Sequence, residues 1–406
     1  MTVVVAGAGA AGLMAAIHAA RAGDRVQVLE RTSDGGRKIL ISGGGRCNVL
    51  PSELDPRRFV TDSSRHTMNR LLTSWPIDGQ RRFFEEDLGI PLAFEAETGK
   101  LFPASDRARE VRDGLITAAR RAGAEFRFGV TMTDLAPSAS GWRVSVTGAE
   151  PIEAKRVILT TGGLSVPQTG SDGAGLEIAT RLGHEIVPPY PALTPLTAAP
   201  AGHSELRGVS LPVSIRGQWE GETVRSSGGF LFTHQGYSGP AVLDVSHIAV
   251  RSRMAGGRGG ILVEWGGDDA AGWEDRLKAQ SPRAVATVLR HALPNRLADR
   301  LLGEFGIPAD RTLSQLTRVE RRTLVDGMTA YPLPWTGDEG YKKAEVTGGG
   351  VELGEVDPST LESRRTPGLF LAGEILDAFG PIGGYNFAWA WATGRLAGTA
   401  GREGRG

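Results

Sequence analysis

The spacing of apolar and polar residues predicts different elements in different parts of this chain. At the amino end, a β-branched run from Val3 to Val5 leads into a glycine-rich turn, a helix-like stretch through Ala16 to Gly23 and a second strand that ends at Glu30. Uninterrupted apolar strands of this kind are typical of parallel sheets that are covered on both faces. The pattern therefore predicts a strand–helix–strand unit at the start of the chain.

The buried-strand pattern returns in KRVILTTGGLS (155–165), after the alternating run GWRVSVTG, and again in LFLAGE near the carboxyl end. A glycine-rich turn follows LFLAGE, and a helix is expected to begin near Tyr385. Between these segments, residues 190–265 hold the short runs LPVSIRGQW, GGFLFTH and GGILVEWGG. These runs predict antiparallel strands with glycine turns.

Residues 271–330 have a helical pattern instead. Apolar side chains recur at every fourth position, namely at Val285, Leu289, Leu293, Leu297, Leu301 and Phe305. This spacing predicts an amphipathic stripe, which Pro294 is expected to divide into two helices. Thr312 or Ser314 is expected to cap the helix that follows.

A G-x-G-x-x-G motif, formed by Gly7, Gly9 and Gly12, lies between the first strand and the first helix. In that setting the first glycine permits the tight turn, the second lets the backbone approach a pyrophosphate, and the third lets the helix pack on the strand. Glu30, at the end of the second strand, is placed to accept hydrogen bonds from ribose hydroxyls. An acid there argues against a 2′-phosphate, so the motif predicts FAD or NAD. A glycine-rich turn without a ligand is the alternative.

The carboxyl end of the chain favours FAD over NAD. It resembles flavoproteins with two dinucleotide domains, in which a strand ends in an acid that contacts the ribityl chain; here that acid is Glu374, after Gly373. In such proteins the next helix, here from Tyr385, directs its N-terminus at the flavin pyrimidine edge and stabilises negative charge on the reduced ring. A plain strand–helix unit is the alternative. No second G-x-G-x-x-G has its own strand and terminal acid, so a separate NAD(P) domain is not expected.

Composition narrows the class of protein without choosing a reaction. Lys plus Arg equals Asp plus Glu at 46 each, so no net field draws the whole molecule to nucleic acid or membrane. A single cysteine excludes an internal disulfide and fits a reducing compartment. The N-terminus lacks a basic leader and no apolar run is long enough for a bilayer, so a cytoplasmic protein is expected. No H-E-x-x-H, paired Cys/His ligands or G-x-S-x-G elbow is present, so neither a metal site nor a serine nucleophile is expected.

Two further features carry charge. Arg318, Arg321 and Arg322 form a basic face on the helix predicted after Thr312. A solvated surface is the expected role of that face, and an RNA or phosphate contact is the alternative. The Gly/Arg tail GREGRG, residues 401–406, is expected to be disordered.

Candidate chemistry lies at a histidine and at the cysteine. His234, in LFTHQGYSGP, follows an apolar strand and is suited to donate to a substrate carbonyl or to relay a proton to a flavin. Fixing the turn is the alternative role, and Tyr237 is a weaker companion. Cys47, beside Arg46, is either a single reactive thiol or a small buried side chain. The lack of a second cysteine favours the buried side chain.

Five segments, in order along nearly the whole chain, resemble the aminoacetone oxidase-like FAD flavoproteins: GRKILISGGGRCN, TGKLFPASDRA, GGFLFTHQGYSGPAVLDVS, AEVTGGGV and LFLAGEILDAFGPIGGYNFAWAWATG. That family includes bile-acid-pathway flavoproteins and a bacterial ribosomal-RNA dihydrouridine synthase. The resemblance implies an α/β fold with a Rossmann-type FAD-binding domain, residues 1–189 and 341–406. This domain is interrupted by a β-rich, barrel-like domain, residues 190–270 and about 330–345, which carries a helical insert, residues 271–330.

The resemblance also places GGGRCN beside FAD, where three glycines keep the backbone bare for close approach. His234 and Tyr385 are the candidate catalytic residues. The residues expected to contact FAD are Gly7, Gly9, Ala10, Ala11, Gly12, Glu30, Arg31, Lys38, Gly44, Gly45, Arg46, Cys47, Asn48, Val130, Thr161, Gly162, Gly163, Gly373, Glu374, Gly383, Gly384, Tyr385, Asn386 and Phe387.

The expected activity is hydride transfer between a bound substrate and N5 of FAD. An oxidase would take hydride from an amine- or alcohol-bearing carbon and give electrons to O₂. A reductase would take hydride from transiently bound NAD(P)H and pass it to an activated alkene. A small molecule is the expected substrate. Uracil in ribosomal RNA is the alternative, and a flavin redox sensor without turnover is a further one.

Overall fold

The computed structural model describes residues 1–199, 202–279 and 281–400. The chain forms two compact units. The first unit joins Met1–Pro191 to the segment that begins at Glu345, and the second unit is Ala192–Ala344. These limits lie within four residues of the boundaries expected at 189 and 341. The tail GREGRG, expected to be disordered, lies outside the described residues.

The strands are β1 (Thr2–Ala6), β2 (Arg25–Glu30), β3 (Leu50–Pro51), β4 (Leu92–Glu95), β5 (Lys100–Pro103), β6 (Glu125–Phe128), β7 (Met132–Ser138), β8 (Gly141–Val146), β9 (Ile152–Ala154), β10 (Arg156–Leu159), β11 (Ile186–Ala192), β12 (Leu196–Thr197), β13 (Ser210–Trp219), β14 (Glu222–Phe232), β15 (Gly236–Ser238), β16 (Gly260–Glu264), β17 (Tyr331–Pro332), β18 (Gly337–Asp338), β19 (Val346–Val351) and β20 (Leu369–Leu371). The helices are α1 (Ala10–Arg21), α2 (Arg37–Ile41), α3 (Arg65–Thr73), α4 (Ile77–Arg82), α5 (Ala108–Arg121), α6 (Ala174–Arg181), α7 (Pro240–Met254), α8 (Ala270–Leu277), α9 (Val285–Ala292), α10 (Asn295–Glu304), α11 (Arg318–Thr329) and α12 (Tyr385–Thr399).

A five-stranded sheet in the order β20-β10-β1-β2-β6 is the centre of the first unit, and every pairing in it is parallel. Val3, Val4 and Val5 on β1 are fully buried, as expected for a strand covered on both faces. Helix α1 packs against both α5 and α12. The predicted strand–helix–strand unit and the Rossmann-type α/β fold are confirmed.

The first and last helices of this unit pack closely because the last helix carries glycines on the shared face. A Cβ on Gly394 would lie 2.3 Å from the carbonyl oxygen of Ala11, and one on Gly398 would lie 2.5 Å from that of Ala15. Any larger side chain at either position would push α12 away from α1. The glycines therefore hold the two ends of the chain together beside the sheet.

The second unit is built on a seven-stranded sheet in the order β17-β16-β13-β14-β15-β12-β18, in which neighbouring strands are antiparallel. The predicted runs LPVSIRGQW, GGFLFTH and GGILVEWGG supply β13, β14 and β16, and α7 packs against β13 and β14. Pro294 separates α9 from α10, as predicted. The predicted cap of α11 is wrong: Thr312 caps a short 3₁₀ turn, whereas Thr317 caps α11 with the reciprocal partner Glu320.

Candidate cofactor-binding site

The turn between β1 and α1 is tightly packed at two of its glycines and open at the third. Gly7 has φ +103° and a Cβ there would lie 2.6 Å from the carbonyl oxygen of Thr160, while a Cβ on Gly12 would lie 1.8 Å from the carbonyl oxygen of Gly7. Around Gly9, by contrast, a Cβ would meet no atom within 4 Å. Gly7 and Gly12 are thus required by the protein itself, and the open space at Gly9 is available to a ligand.

Helix α1 begins next to this space, at Ala10 and Ala11. Its N-cap residue, Gly9, provides no side-chain cap, and the first turn holds no acidic residue. The unpaired backbone N–H groups and the positive end of the helix dipole therefore favour an anion at this end of α1.

Glu30 ends β2 and is buried beside the same turn. Its Oε2 accepts a hydrogen bond from the backbone N–H of Ala8 at 2.8 Å, and its Oε1 accepts from the N–H and hydroxyl of Thr32 at 2.8 and 2.7 Å. The carbonyl of Glu30 accepts from the N–H of Val130 at 3.0 Å. Glu30 therefore fixes the turn, and its oxygens retain lone pairs for ribose hydroxyls. Its neighbour Arg31 pairs with Asp172 at the surface.

A half-buried polar cluster joins three distant parts of the first unit. Lys38 Nζ lies 2.6 Å from Glu374 Oε2 and donates to Ser165 Oγ, also at 2.6 Å. Glu374 Oε1 accepts from Ser165 Oγ at 2.5 Å and from the backbone N–H of Thr347 at 3.0 Å. Glu374 lies in a short turn, three residues beyond the end of β20, whereas the sequence pattern placed it at the end of that strand. Sequence reasoning named Lys38 and Glu374 but missed Ser165 and Thr347.

Thr347 also brings the Thr161–Gly163 segment into this cluster. Its hydroxyl accepts from the backbone N–H groups of Leu164 and Ser165 at 2.7 and 3.0 Å. A Cβ on Gly163 would lie 2.4 Å from that hydroxyl, so the strand carrying Thr347 and the loop after β10 are in close contact. Thr347 lies in AEVTGGGV, one of the five segments that carry the family resemblance, so the sequence did contain a signal for this residue.

The GGGRCN segment is a tight turn with an exposed backbone. Gly44 and Gly45 have φ of +68° and +88° and are exposed, so this loop needs glycine and leaves its backbone open. Arg46 pairs with Glu95 at 3.0 Å and with Asp106 at 2.8 Å. Its charge is therefore already balanced by the protein.

Cys47 is buried, and burial raises the pKa of its thiol to about 12. A thiol with such a pKa is protonated at neutral pH and is a poor nucleophile. The structure thus favours the interpretation of Cys47 as a small packed side chain.

Among the residues expected to contact FAD, two buried polar atoms have no hydrogen-bond partner in the described part of the chain: Asn48 Oδ1 and Thr161 Oγ1. Buried polar atoms normally form hydrogen bonds, so a buried atom without one indicates a partner that is not part of the described chain. Together with the open space at Gly9 and the uncapped end of α1, they show that the residues present fit a large polar cofactor such as FAD.

The N-terminus of α12 follows Gly383 and Gly384. Tyr385 is buried, and its hydroxyl oxygen accepts a hydrogen bond from Arg58 Nη1 at 2.8 Å. Asn386 bonds both polar groups of Gly380, with Oδ1 and Nδ2 each at 2.9 Å, and therefore holds the preceding loop with its side chain. Phe387 stacks on Trp391 with ring centroids 5.3 Å apart. Arg58 was missed because it lies 327 positions from its partner.

In the second unit, His234 is exposed and has no side-chain partner among the described residues. Tyr237 is fully buried, and its hydroxyl lies 2.9 Å from Nδ1 of His203. Burial raises the pKa of Tyr237, so it stays protonated.

No group of side chains in the described part of the chain is arranged to hold a metal ion. No described helix is long and apolar enough to cross a membrane.

Comparison with known proteins assigns the class. A family model described as the HI0933-like protein Rossmann domain matches residues 1–400. The chain belongs to this family, and it is an FAD-dependent oxidoreductase.

Individual relatives cover nearly the whole chain. It is 32% identical over 396 residues to the ribosomal RNA dihydrouridine synthase of Escherichia coli strain K12, covering 96% of this chain and 95% of that protein. It is 31% identical over 407 residues to the 3-dehydro-bile acid delta(4,6)-reductase of Clostridium scindens, covering 98% of each. The fold is similar to that of a 3-ketosteroid-delta4-(5alpha)-dehydrogenase from Rhodococcus jostii, with a TM-score of 0.51 at 17% identity, covering 98% of this chain and 96% of that one.

Proposed function

We propose that this protein uses FAD to reduce a carbon–carbon double bond conjugated to a carbonyl, and that its substrate is uracil in ribosomal RNA. The observation that carries the proposal is full-length similarity to two relatives whose names describe the same bond change. Dihydrouridine is uridine with a saturated ring double bond, and a delta(4,6)-reductase saturates double bonds of a steroid ring. The amine-oxidising reaction has no such support from these relatives.

Residues of the first unit are proposed to hold the cofactor. The N-terminus of α1 with Gly9 would bind the pyrophosphate, Glu30 the ribose, and the Lys38–Glu374 pair the ribityl chain. Asn48 Oδ1 and Thr161 Oγ1, which lack partners among the described residues, would form hydrogen bonds with FAD. Once bound and reduced, FAD would supply the hydride, and transiently bound NAD(P)H is the proposed reductant of the flavin.

Tyr385 is the proposed proton donor to the second carbon of the double bond. Because Arg58 donates to the phenol oxygen, the O–H of Tyr385 stays free to point elsewhere. The guanidinium also stabilises the negative charge that the oxygen gains on releasing its proton. His234, which is exposed and has no side-chain partner in the residues that the structure describes, is the alternative donor.

The test is product formation on ribosomal RNA from a strain that lacks the gene for this protein. The purified holoenzyme with NADPH, without oxygen, is expected to add two hydrogens to a uracil, as seen by mass spectrometry of the digested RNA. Unmodified RNA, together with turnover of a conjugated steroid ketone, would instead assign the small-molecule substrate that the Clostridium relative suggests.

A further inference from the structure

Two arginines lie side by side on the outward face of the sheet in the second unit. Strands β13 and β14 are antiparallel, and their register places Arg216 directly opposite Arg225. Ser214 and Ser227 form the next pair on the same face, with hydroxyl oxygens 2.8 Å apart. Like charges directly opposite one another destabilise a sheet unless something neutralises them.

No residue that the structure describes neutralises this pair. Among the described residues, neither guanidinium has an ion pair or a hydrogen-bond partner, and Nε of Arg216 is buried. Arg143 on β8 shows the usual arrangement: it lies opposite Glu153 on β9 and pairs with it at 2.8 Å. Arg216 and Arg225 thus form an unbalanced positive site where a carboxylate would normally stand.

The surroundings of the pair suit phosphate. The flanking positions on the same face of β13 and β14 are Pro212, Ser214, Gln218, Thr223, Ser227 and Gly229, none of which is acidic. The one carboxylate brought to this face by β16 is Glu264, which lies opposite Ser214 and makes no ion pair with either arginine. Guanidinium forks surrounded by hydroxyl and amide donors match the oxygens of a phosphodiester.

We propose that this Arg216–Arg225 face binds the phosphodiester backbone of the RNA substrate. The inference rests on the proposed function, since it requires a nucleic-acid substrate. Backbone contacts of this kind hold and orient RNA without reading its sequence. They would also explain how a chain with no net charge binds a polyanion, because two arginines without a partner in the described part of the chain lie together on one face.

The experiment measures binding of a fluorescent oligouridylate to the full-length holoenzyme over a series of KCl concentrations. The variant Arg216→Ala/Arg225→Ala is expected to bind about tenfold or more weakly. Its plot of log affinity against log salt is expected to be less steep by about 1.4, from roughly 0.7 for each phosphate contact on a single strand. Arg216→Lys/Arg225→Lys should keep the steeper slope, and Arg143→Ala should match the wild type.

Folding is checked separately, since removing two opposed like charges should leave the melting temperature unchanged or higher, and the flavin spectrum intact. A double alanine variant with wild-type affinity and salt slope would overturn the proposal, as would an equal loss in Arg143→Ala. A loss confined to NADPH binding would assign the arginines to the reductant and overturn it too. If the wild type reduces uracil in RNA and the double alanine variant does so with an unchanged KM, the arginines do not bind the RNA, while the proposed function stands. If the wild type leaves uracil unreduced, the proposed function fails first.

Discussion

Substitution at Gly9 separates the needs of the cofactor from those of the fold. Gly9 has φ −78° and ψ −171°, a conformation that alanine adopts freely, and its Cβ would meet no protein atom within 4 Å. Gly9→Ala should therefore stabilise the FAD-free protein by about 0.4–1 kcal/mol, because the unfolded chain loses conformational freedom. Gly9→Val, with its larger side chain, should fold equally well.

FAD binding should respond in the opposite direction. A side chain at Gly9 would occupy the space expected to hold the pyrophosphate and block hydrogen bonds from the N-terminus of α1. Losing two charge-assisted bonds of about 1.5 kcal/mol each would cost at least ~3 kcal/mol, or roughly a 150-fold weaker Kd. Urea unfolding of the FAD-free protein and FAD titration by flavin fluorescence measure the two effects.

Gly12→Ala is the matched control, because its Cβ would lie 1.8 Å from the carbonyl oxygen of Gly7. This variant should lose stability whether or not FAD is present. Wild-type FAD affinity in Gly9→Val would refute this role of Gly9, and so would an equal destabilisation of the FAD-free protein by Gly9→Val and Gly12→Ala.

Three further predictions concern single side chains. Lys38→Met removes the cation that pairs with Glu374 at 2.6 Å, so the affinity for FAD should fall about tenfold or more. In the double variant Lys38→Met/Glu374→Gln, the loss of FAD affinity should be smaller than the sum of the two single losses. Additive losses in FAD titrations would show that the two side chains do not act as a pair. Cys47→Ser should keep flavin and activity, and the native thiol should resist a disulfide reagent until the protein is unfolded, because its pKa is raised to about 12; rapid native labelling would contradict this. Burial would raise the pKa of Glu304, but hydrogen bonds from His203, Tyr331 and Arg300 lower it to about 2. The stability that Glu304 contributes is therefore present above its unfolded pKa of about 4.3 and is lost as the pH falls towards 2. In Glu304→Gln, the free energy of unfolding should depend less on pH over this range. An unchanged pH dependence would contradict the role of Glu304.

Local pattern predicted much of the fold and little of the site's internal contacts. The β1–α1–β2 unit was predictable because its pattern lies within 30 consecutive residues. The break between α9 and α10 was predictable because the ring of Pro294 is incompatible with a helix interior. The Lys38–Ser165–Glu374 cluster joins residues 127 and 336 positions apart, so no local period reveals it. The cap of α11 was misplaced because Thr312 and Thr317 both precede a capping acceptor three residues later, and only the observed turn shows which one begins the helix.

The partners of Arg46 were hidden for the same reason. The sequence predicts that Arg46 contacts FAD, whereas the fold brings Glu95 and Asp106 to its guanidinium. The charge of a side chain in a loop is visible in sequence, but its neutralisation depends on strands that reach it only after folding.

The most direct measurement of the proposed function is a single turnover without oxygen. Holoenzyme reduced with one equivalent of NADPH is mixed with ribosomal RNA that carries unmodified uracil, while the visible absorbance of oxidised flavin and the dihydrouridine content are followed together. Flavin absorbance is expected to return at the rate at which dihydrouridine appears. A flavin that stays reduced until O₂ or a conjugated ketone is added, with no dihydrouridine formed, would contradict the proposed function.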